Sequence, residues 1–251
     1  SPSGYVSPAR PELEANSGGV YGWWGMDFKW ASDGVRLAFA RPDSVGLYDT
    51  RLDLLQPLVS IIPFQTGGDW AGVPGVRWAP DGHVLYSVQH VEGPGSPSVE
   101  ESPRFDLIAI PLGGGAPVSL VEDVGMFAYP EPSPLTSVIV HEADQENNAP
   151  VIENEFRVAY LQAIFPAQSE SSRYRLFIMD RDGSNRIGLF PAEGATGIEP
   201  QRVIWSPYPV EESSHFAIGL IFQGNIWMVD SISGLAQQIT GDGLTVRIDW
   251  R

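Results

Sequence analysis

The chain has 251 residues and a formal net charge of −16, with 31 acidic side chains against 15 Lys and Arg. This balance argues against a nucleic-acid partner, which needs clustered basic side chains, and against adhesion to an anionic membrane. The absence of cysteine excludes disulfides, thiolate metal ligands and cysteine nucleophiles. No apolar run approaches the ~20 residues of a membrane span, so we predict no membrane insertion.

Residues 1–22 are rich in Ser, Pro, Gly and Glu. They have neither the basic start nor the apolar stretch of a signal peptide. We interpret them as a linker, or as outer strands that complete the domain formed by residues 23–251.

Two similar units follow, each with four short runs of β-branched and aromatic residues, here named strands a to d. In the first unit we predict strands at 27–30, 35–40, 45–48 and 58–63. In the second unit they fall at 75–78, 83–88, 105–110 and 117–121. In both units an Asp-Gly pair, Asp33-Gly34 or Asp81-Gly82, predicts a tight turn between strands a and b.

The third unit departs from this pattern, and Tyr129 is the predicted substitute for a tryptophan in its strand a. An acidic insertion at 131–156 follows, and strands b to d are predicted at 157–165, 173–179 and 186–190.

The fourth unit is compact, with strands predicted at 203–205, 216–222, 225–230 and 236–240. Residues 245–250 then open a fifth unit. No segment has a sustained helical period, so we expect almost no helix.

Four tryptophans end the predicted a strands: Trp30, Trp78, Trp205 and Trp250. Their spacings are 48, 127 and 45 residues, and a period of about 40–50 residues is typical of a β-propeller with one four-stranded blade per repeat. We therefore predict an all-β propeller in which these strands lie nearest the axis and their tryptophans pack between blades.

Four repeats are complete, and the fifth blade is predicted to be shared between the two termini. Closure avoids unpaired strand edges. The alternative is that the chain is a piece of a larger ring.

Several segments resemble the repeat of TolB-like propellers, which are similar to WD-repeat proteins. They are Trp78-Ala79-Pro80-Asp81-Gly82, the run 176–185, the run 225–230 with 238–240, and Leu37-Ala38-Phe39. The resemblance spans about residues 25–251 and implies the propeller fold. It is weakly specific for function, because such repeats serve scaffolds, receptors and enzyme accessory domains. It also implies extracytoplasmic protein contact, so we expect a periplasmic or extracellular location.

The sequence shows no catalytic, cofactor-binding or metal-binding motif. The four histidines, His83, His90, His141 and His215, lack the short spacings of zinc sites. The run 180–184 is similar to the start of a calcium loop, but the twelfth position holds no glutamate, so we interpret it as a hairpin turn. Gly113-Gly114-Gly115 precedes a strand and not a helix, which argues against a phosphate cradle. We predict no site residue and no cofactor.

The prediction of function rests on the face of the domain at which the long loops lie. The long b–c loops at 89–104 and 166–172 share one face with the d–a loops, whereas the acidic a–b insertion lies on the opposite face. Long loops on a rigid scaffold are common binding elements. We therefore expect a non-enzymatic binding or scaffold domain, part of a larger exported bacterial protein, that holds a protein or small ligand at the b–c/d–a face.

The alternative is a carbohydrate-active propeller enzyme or the propeller accessory domain of a hydrolase. Two carboxylates with exposed aromatic rings around the central channel would favour that enzyme.

Overall fold

A computed structural model shows the architecture. It describes residues 26–64, 72–93, 95, 98, 101–141, 151–210 and 215–250, with the backbone alone for 138–141 and 151–153. These residues form β-strands and one 3₁₀ turn at Pro166–Gln168. The predicted linker or closing segment at 1–22 lies outside the described residues.

Four antiparallel sheets of four strands follow one another along the chain, and each is called a blade below. The first blade contains β1 (Asp27–Trp30), β2 (Arg36–Arg41), β3 (Ser44–Asp49) and β4 (Leu54–Ser60). The second blade contains β5 (Val76–Trp78), β6 (Val84–Val91), β7 (Arg104–Pro111) and β8 (Val118–Val121).

An inserted hairpin interrupts the third blade. Its innermost strand is β9 (Glu131–Pro132), and the hairpin of β10 (Thr136–His141) and β11 (Val151–Glu155) follows as a separate two-stranded sheet. The blade is completed by β12 (Arg157–Ala163), β13 (Tyr174–Asp180) and β14 (Ile187–Phe190). The predicted acidic insertion is therefore structured as a hairpin where the structure describes it.

The fourth blade is compact and contains β15 (Ile204–Trp205), β16 (Ala217–Phe222), β17 (Asn225–Asp230) and β18 (Ala236–Gln238).

The predicted Asp-Gly turns between strands a and b are confirmed. The Asp33 carboxylate accepts the N–H groups of Val35 at 2.8 Å and Arg36 at 3.0 Å, and Gly34 has a φ of +66°. These hydrogen bonds and the Arg36 side chain lower the pKa of Asp33 to about 2. Asp81 accepts the N–H of His83 in the same way. The short polar side chain and the glycine together allow each chain reversal.

Apolar side chains pack between successive blades because alternate residues of a strand face opposite sides of its sheet. Val158 and Tyr160 of β12 face the second blade, whereas Ala159 and Leu161 face the fourth. A third cluster joins the first blade to the second. The blades are thus stacked face to face in chain order, as in a propeller.

The same backbone hydrogen bond recurs in each blade and aligns the four innermost strands with one another. The residue after each strand a donates its N–H to the start of strand b, and these residues are Ala31, Ala79, Ser133 and Ser206. The alignment puts Trp30, Trp78 and Trp205 at one equivalent position, as predicted. In the third blade that position holds Pro132, so the substitution predicted at Tyr129 is wrong. The Tyr129 ring instead lies beside Phe127 and under the Arg202 guanidinium.

The equivalent tryptophans differ in burial. Trp205 is 9% exposed, Trp78 is half-buried and Trp30 is 59% exposed. Packing between blades was therefore correctly predicted for Trp205, was partly correct for Trp78 and was wrong for Trp30. The two more buried indoles each donate to the innermost strand of the preceding blade, Trp78 to the carbonyl of Lys29 at 2.9 Å and Trp205 to that of Glu131 at 2.7 Å.

The predicted strand at 245–250 is wrong, since no described residue after Gln238 lies in a strand. Ile248 and Trp250 lie beside Gly219 of β16, where the missing side chain leaves room for them. Trp250 is consequently not equivalent to the other three tryptophans. The fifth blade shared between the termini stays a prediction.

Candidate functional site

Charged side chains from all four blades meet at the propeller axis. Arg77 contacts the Glu131 carboxylate, with its Nε 2.7 Å from both oxygens and its Nη2 2.6 Å from Oε1. Arg77 Nη1 lies 3.2 Å from Asp27 Oδ2, and Arg202 Nη2 lies 2.7 Å from the same oxygen. Arg202 Nη1 completes the cluster at 3.5 Å from Glu131 Oε1.

Guanidinium groups contact both axial carboxylates at charge-assisted hydrogen-bond distances. The Asp27 carboxylate also accepts the N–H of Val76 at 3.1 Å. The Arg202 guanidinium lies over the Tyr129 ring, 5.0 Å from its centroid. The two carboxylates of this cluster are thus bound to arginine, and the neighbouring Tyr129 ring is covered by the Arg202 guanidinium.

A larger candidate site lies between the third and fourth blades, on the face formed by the a–b and c–d loops. It is a cavity of about 660 Å³, within the ~300–1,000 Å³ typical of ligand sites. Its lining comes from the base of the inserted hairpin, two c–d turns and the ends of the inner strands. The lining residues are Ser133, Thr136, Asn154, Glu155, Phe156, Arg157, Asp180, Arg181, Asp182, Trp205, His215, Phe216, Ser231 and Ile232.

Hydrogen bonds hold the acidic side chains at the mouth of this cavity. Asp180 lies 3.5 Å from Arg157 Nε and accepts the Asn185 amide at 2.6 Å. Asp182 accepts the hydroxyl of Ser184 at 2.6 Å and its backbone N–H at 3.0 Å, and these two bonds lower the pKa of Asp182.

A histidine–aspartate pair forms another part of the cavity wall. His215 Nε2 is 2.8 Å from Asp230 Oδ2. Burial opposes ionisation of Asp230, but bonds from Ser233 and Ile232, together with His215, lower its pKa overall. Asp230 is therefore a fixed anion that orients the imidazole.

Three aromatic rings form the apolar floor of the cavity. Phe156, Trp205 and Phe216 are all less than 10% exposed. Because they are packed into the interblade core, they provide a rigid base and little freely exposed aromatic surface.

A second cavity of about 440 Å³ opens on the opposite, b–c/d–a face of the same interblade interface. Gln201 fixes its wall, since its amide donates to the Ile221 carbonyl at 2.6 Å and accepts the Ile221 N–H at 2.7 Å. Arg173 and Glu199 form an ion pair at its edge, and Val246 is highly exposed there.

The long b–c loops singled out by the sequence occupy residues 92–103 and 164–173, between the strands that flank them. His90 anchors the first of them, because its ring nitrogens lie 2.7 Å from the Ile62 carbonyl and 2.6 Å from that of Ser102. Since both contacts are to backbone, His90 has a structural role in this loop.

The remaining sequence candidates are dispersed. His83 lies in the Asp-Gly turn of the second blade, and the side chain of His141 lies outside the described residues. The calcium-like run 180–184 is the c–d turn of the third blade, as predicted. In the part of the chain that the structure describes, no three acidic or histidine side chains are grouped to hold a metal ion.

Sequence reasoning missed both the axial cluster and the larger cavity. Each is assembled from residues in different blades, so no contiguous motif marks them. One usable signal existed: Lys29 and Arg77 are cations within inner strands that are otherwise largely apolar.

Comparisons with known proteins gave structural likeness alone. Neither a protein family nor a curated protein matches the sequence. A chain of a nidogen/laminin complex aligns with a TM-score of 0.45 and 12% identity, over 89% of this chain and 65% of that one. An oligogalacturonate lyase from Vibrio parahaemolyticus aligns with a TM-score of 0.44 and 12% identity, over 84% of this chain and 51% of that one. The tricorn protease aligns with a TM-score of 0.38 and 17% identity, over 85% of this chain and 21% of that one. The chain thus spans less than two thirds of each of these proteins.

No helix among the described residues has the length and apolar character needed to cross a bilayer.

Proposed function

We propose that this chain is a non-enzymatic binding domain that holds a protein or small ligand in a cavity between two blades. The observation that carries this proposal is the 660 Å³ cavity between the third and fourth blades. Its acidic groups are already fixed by Arg157, Asn185 and Ser184, which suits recognition by preorganised charges better than proton transfer.

The charge of the site favours a partner that carries basic groups. Glu155, Asp180 and Asp182 line the cavity against Arg157 and Arg181, and the whole chain has a net charge of −16. Such a field attracts cations and accelerates their association. A segment of a protein with exposed lysine or arginine fits this chemistry.

The binding face is the part of this proposal that departs from the sequence prediction. The loops at 89–104 and 166–172 favour the b–c/d–a face, where the 440 Å³ cavity lies. The larger and more polar cavity lies on the a–b/c–d face, at the base of the inserted hairpin. We favour the larger cavity, because it combines a rigid floor with oriented polar groups.

Two matched substitutions distinguish the faces. Ile232 lines the larger cavity and Val246 the smaller one, and both are exposed aliphatic residues. We expect Ile232→Trp to weaken the binding of a capped alanine-based peptide with a central lysine about tenfold or more, because the larger indole occupies part of the cavity. Val246→Trp should leave this binding unchanged. Isothermal titration calorimetry measures both, with the same peptide carrying glutamate as a control.

The reverse result, loss in Val246→Trp alone, would place the partner on the b–c/d–a face. Deletion within 166–172 should then abolish binding as well. Equal affinity for the lysine and glutamate peptides would contradict the basic partner. Equal loss in both variants with a lowered melting temperature would indicate general destabilisation.

A carbohydrate-active enzyme or hydrolase accessory domain is the second candidate. The observation that favours it is the presence of Asp180 and Asp182 in one cavity with three aromatic rings. Against it, those rings are buried and the cavity is away from the axis. Turnover of glycoside, peptide or ester substrates that survives repurification and is lost in Asp180→Asn would establish this alternative.

The TolB-like resemblance supports the remaining parts of the proposal. It suggests a domain of a larger exported bacterial protein, located in the periplasm or outside the cell. Fractionation of the producing cell tests that location directly.

A further inference from the structure

The aligned inner strands place charged residues at two successive levels along the axis. One level contains Asp27, Gly75, Tyr129 and Arg202. The next contains Lys29, Arg77, Glu131 and Ile204. The order follows from the shared register of β1, β5, β9 and β15 with their neighbouring strands.

These two levels together carry an excess of positive charge. Three cations, Lys29, Arg77 and Arg202, face two carboxylates, Asp27 and Glu131. The guanidinium groups of Arg77 and Arg202 form ion pairs with both carboxylates, through the four contacts given above. The axis is thus locally cationic in a chain whose net charge is −16.

Lys29 is the cation left over. Its carbonyl is engaged by the Trp78 indole, but among the described residues its ammonium has neither an ion pair nor a hydrogen bond. The residue as a whole is exposed. Lys29 is also the only lysine in the chain.

The surroundings of Lys29 destabilise its positive charge. Burial of part of the side chain and repulsion by Arg77 lower the pKa of Lys29, with a smaller contribution from Arg202, and attraction by Glu131 and Asp27 only partly compensates. An anion beside Lys29 would remove this penalty, because it would supply the countercharge that the axial carboxylates give to the arginines.

We propose that the axial cluster binds a carboxylate group through the Lys29 ammonium, the cation of the cluster that neither Asp27 nor Glu131 contacts. Charge-assisted hydrogen bonds to carboxylates are among the stronger polar contacts in proteins, and a cluster with three cations against two carboxylates favours one further anion. This site is separate from the interblade cavity, so it does not depend on the function proposed above.

The single lysine makes the test unusually direct. Protein labelled with ¹³C-lysine gives one ¹³Cε–¹Hε signal, which reports Lys29 alone. We expect sodium acetate to shift this signal saturably and to raise the pKa of Lys29. Sodium chloride at equal ionic strength should do neither. Equal responses to the two salts would overturn the proposal.

Variants keep the test independent of folding. Lys29→Gln, at an exposed position, should weaken acetate binding about tenfold, the effect of losing one charge-assisted contact, whereas Lys29→Arg should retain it. Calorimetry and the melting temperature are measured for both. Unchanged acetate affinity in Lys29→Gln with a normal melting temperature would also overturn the proposal.

The source of the carboxylate is distinguished by a second probe. A capped peptide with a central aspartate is compared with acetate and with the matching asparagine peptide. Tighter binding of the aspartate peptide than of acetate identifies a protein-borne carboxylate, and equal binding identifies a free small acid. Ile232→Trp serves as the matched control, because it should weaken binding of the lysine peptide and leave acetate binding intact. Lys29→Gln should weaken acetate binding and leave binding of the lysine peptide intact.

Discussion

The buried tyrosines differ in whether their hydroxyls have a partner. Tyr174 donates to the Ser169 carbonyl at 2.8 Å and accepts the Phe127 N–H at 3.3 Å. Tyr160 is fully buried with its ring stacked on Phe177, and its hydroxyl has no hydrogen-bond partner among the described residues. A buried polar atom without a partner costs free energy, whereas a partnered one stabilises the fold.

The first prediction compares two tyrosine-to-phenylalanine changes. Tyr160→Phe should leave the free energy of unfolding unchanged or raise it by up to ~1 kcal/mol, because it removes an unpartnered hydroxyl. Tyr174→Phe should lower it by ~1–2 kcal/mol, because it leaves the Ser169 carbonyl unpaired. Urea denaturation monitored by tryptophan fluorescence measures both. A loss above ~1 kcal/mol in Tyr160→Phe would show that its hydroxyl is satisfied in solution.

At the scale of the strand, the innermost strand of each blade is short, and the tryptophans at its end differ in how far they pack against a neighbouring blade. Trp205 fills the space between the third and fourth blades and also donates to the Glu131 carbonyl. Trp30 occupies the equivalent position but is largely exposed. Tryptophan at the same register position therefore contributes differently to the stability of the two blades.

The second prediction follows from that difference. Trp205→Ala should lower the free energy of unfolding by ~3–5 kcal/mol, the usual loss for a large buried aromatic residue. Trp78→Ala should cost less, since Trp78 is half-buried, although it loses its bond to Lys29. Trp30→Ala is the matched control and should cost under ~1 kcal/mol. Chemical denaturation ranks the three, and an equal loss for Trp30 and Trp205 would contradict the burial seen here.

The strands could be predicted well because their signals are local. Asp33-Gly34 and Asp81-Gly82 fix turns through their own backbone chemistry, and the alternation in β12 sends Tyr160 and Leu161 to opposite cores. The aromatic pattern misled at Tyr129, because the aligned position in the third blade holds a proline. An aromatic residue in the right neighbourhood is not evidence for its register.

The sites could not be predicted in the same way. Asp27 and Arg202 are 175 positions apart and meet only because four strands converge on one axis. The larger cavity likewise depends on how a c–d turn of one blade faces an a–b loop of the next. Such contacts follow from the angle between blades, and no run of residues in the chain encodes that angle.

At the scale of the whole molecule, alkaline pH should act on the cores between blades. Burial raises the pKa of Tyr160 and Tyr174 to about 12 and raises that of Tyr86 as well. In the unfolded chain a tyrosine ionises near pH ~10. The unfolded state therefore loses these protons first, so the stability that the neutral tyrosines contribute is complete below pH ~10 and declines as pH rises towards ~12.

The third prediction is a fall in the urea midpoint between pH 9 and 11.5, parallel to phenolate absorbance at 295 nm. The chain suits this experiment because it has one lysine and no cysteine to titrate in the same range. Tyr174→Phe should make the decline less steep, whereas Tyr208→Phe should leave it unchanged because Tyr208 is 77% exposed. Identical pH profiles for both variants and the parent would disprove the assignment.

The indole hydrogen bonds between inner strands join the four blades as two pairs of neighbours. Trp78 joins the second blade to the first, and Trp205 joins the fourth to the third. Between the second and third blades the equivalent residue, Pro132, has no indole N–H to donate, and the ion pair of Arg77 with Glu131 connects the inner strands there. The architectural repeat is thus one blade, but the tryptophan bond recurs only at every second interface. At the middle interface the ion pair, the bond from the Tyr86 hydroxyl to the Arg181 carbonyl and a shared apolar core join the two blades instead.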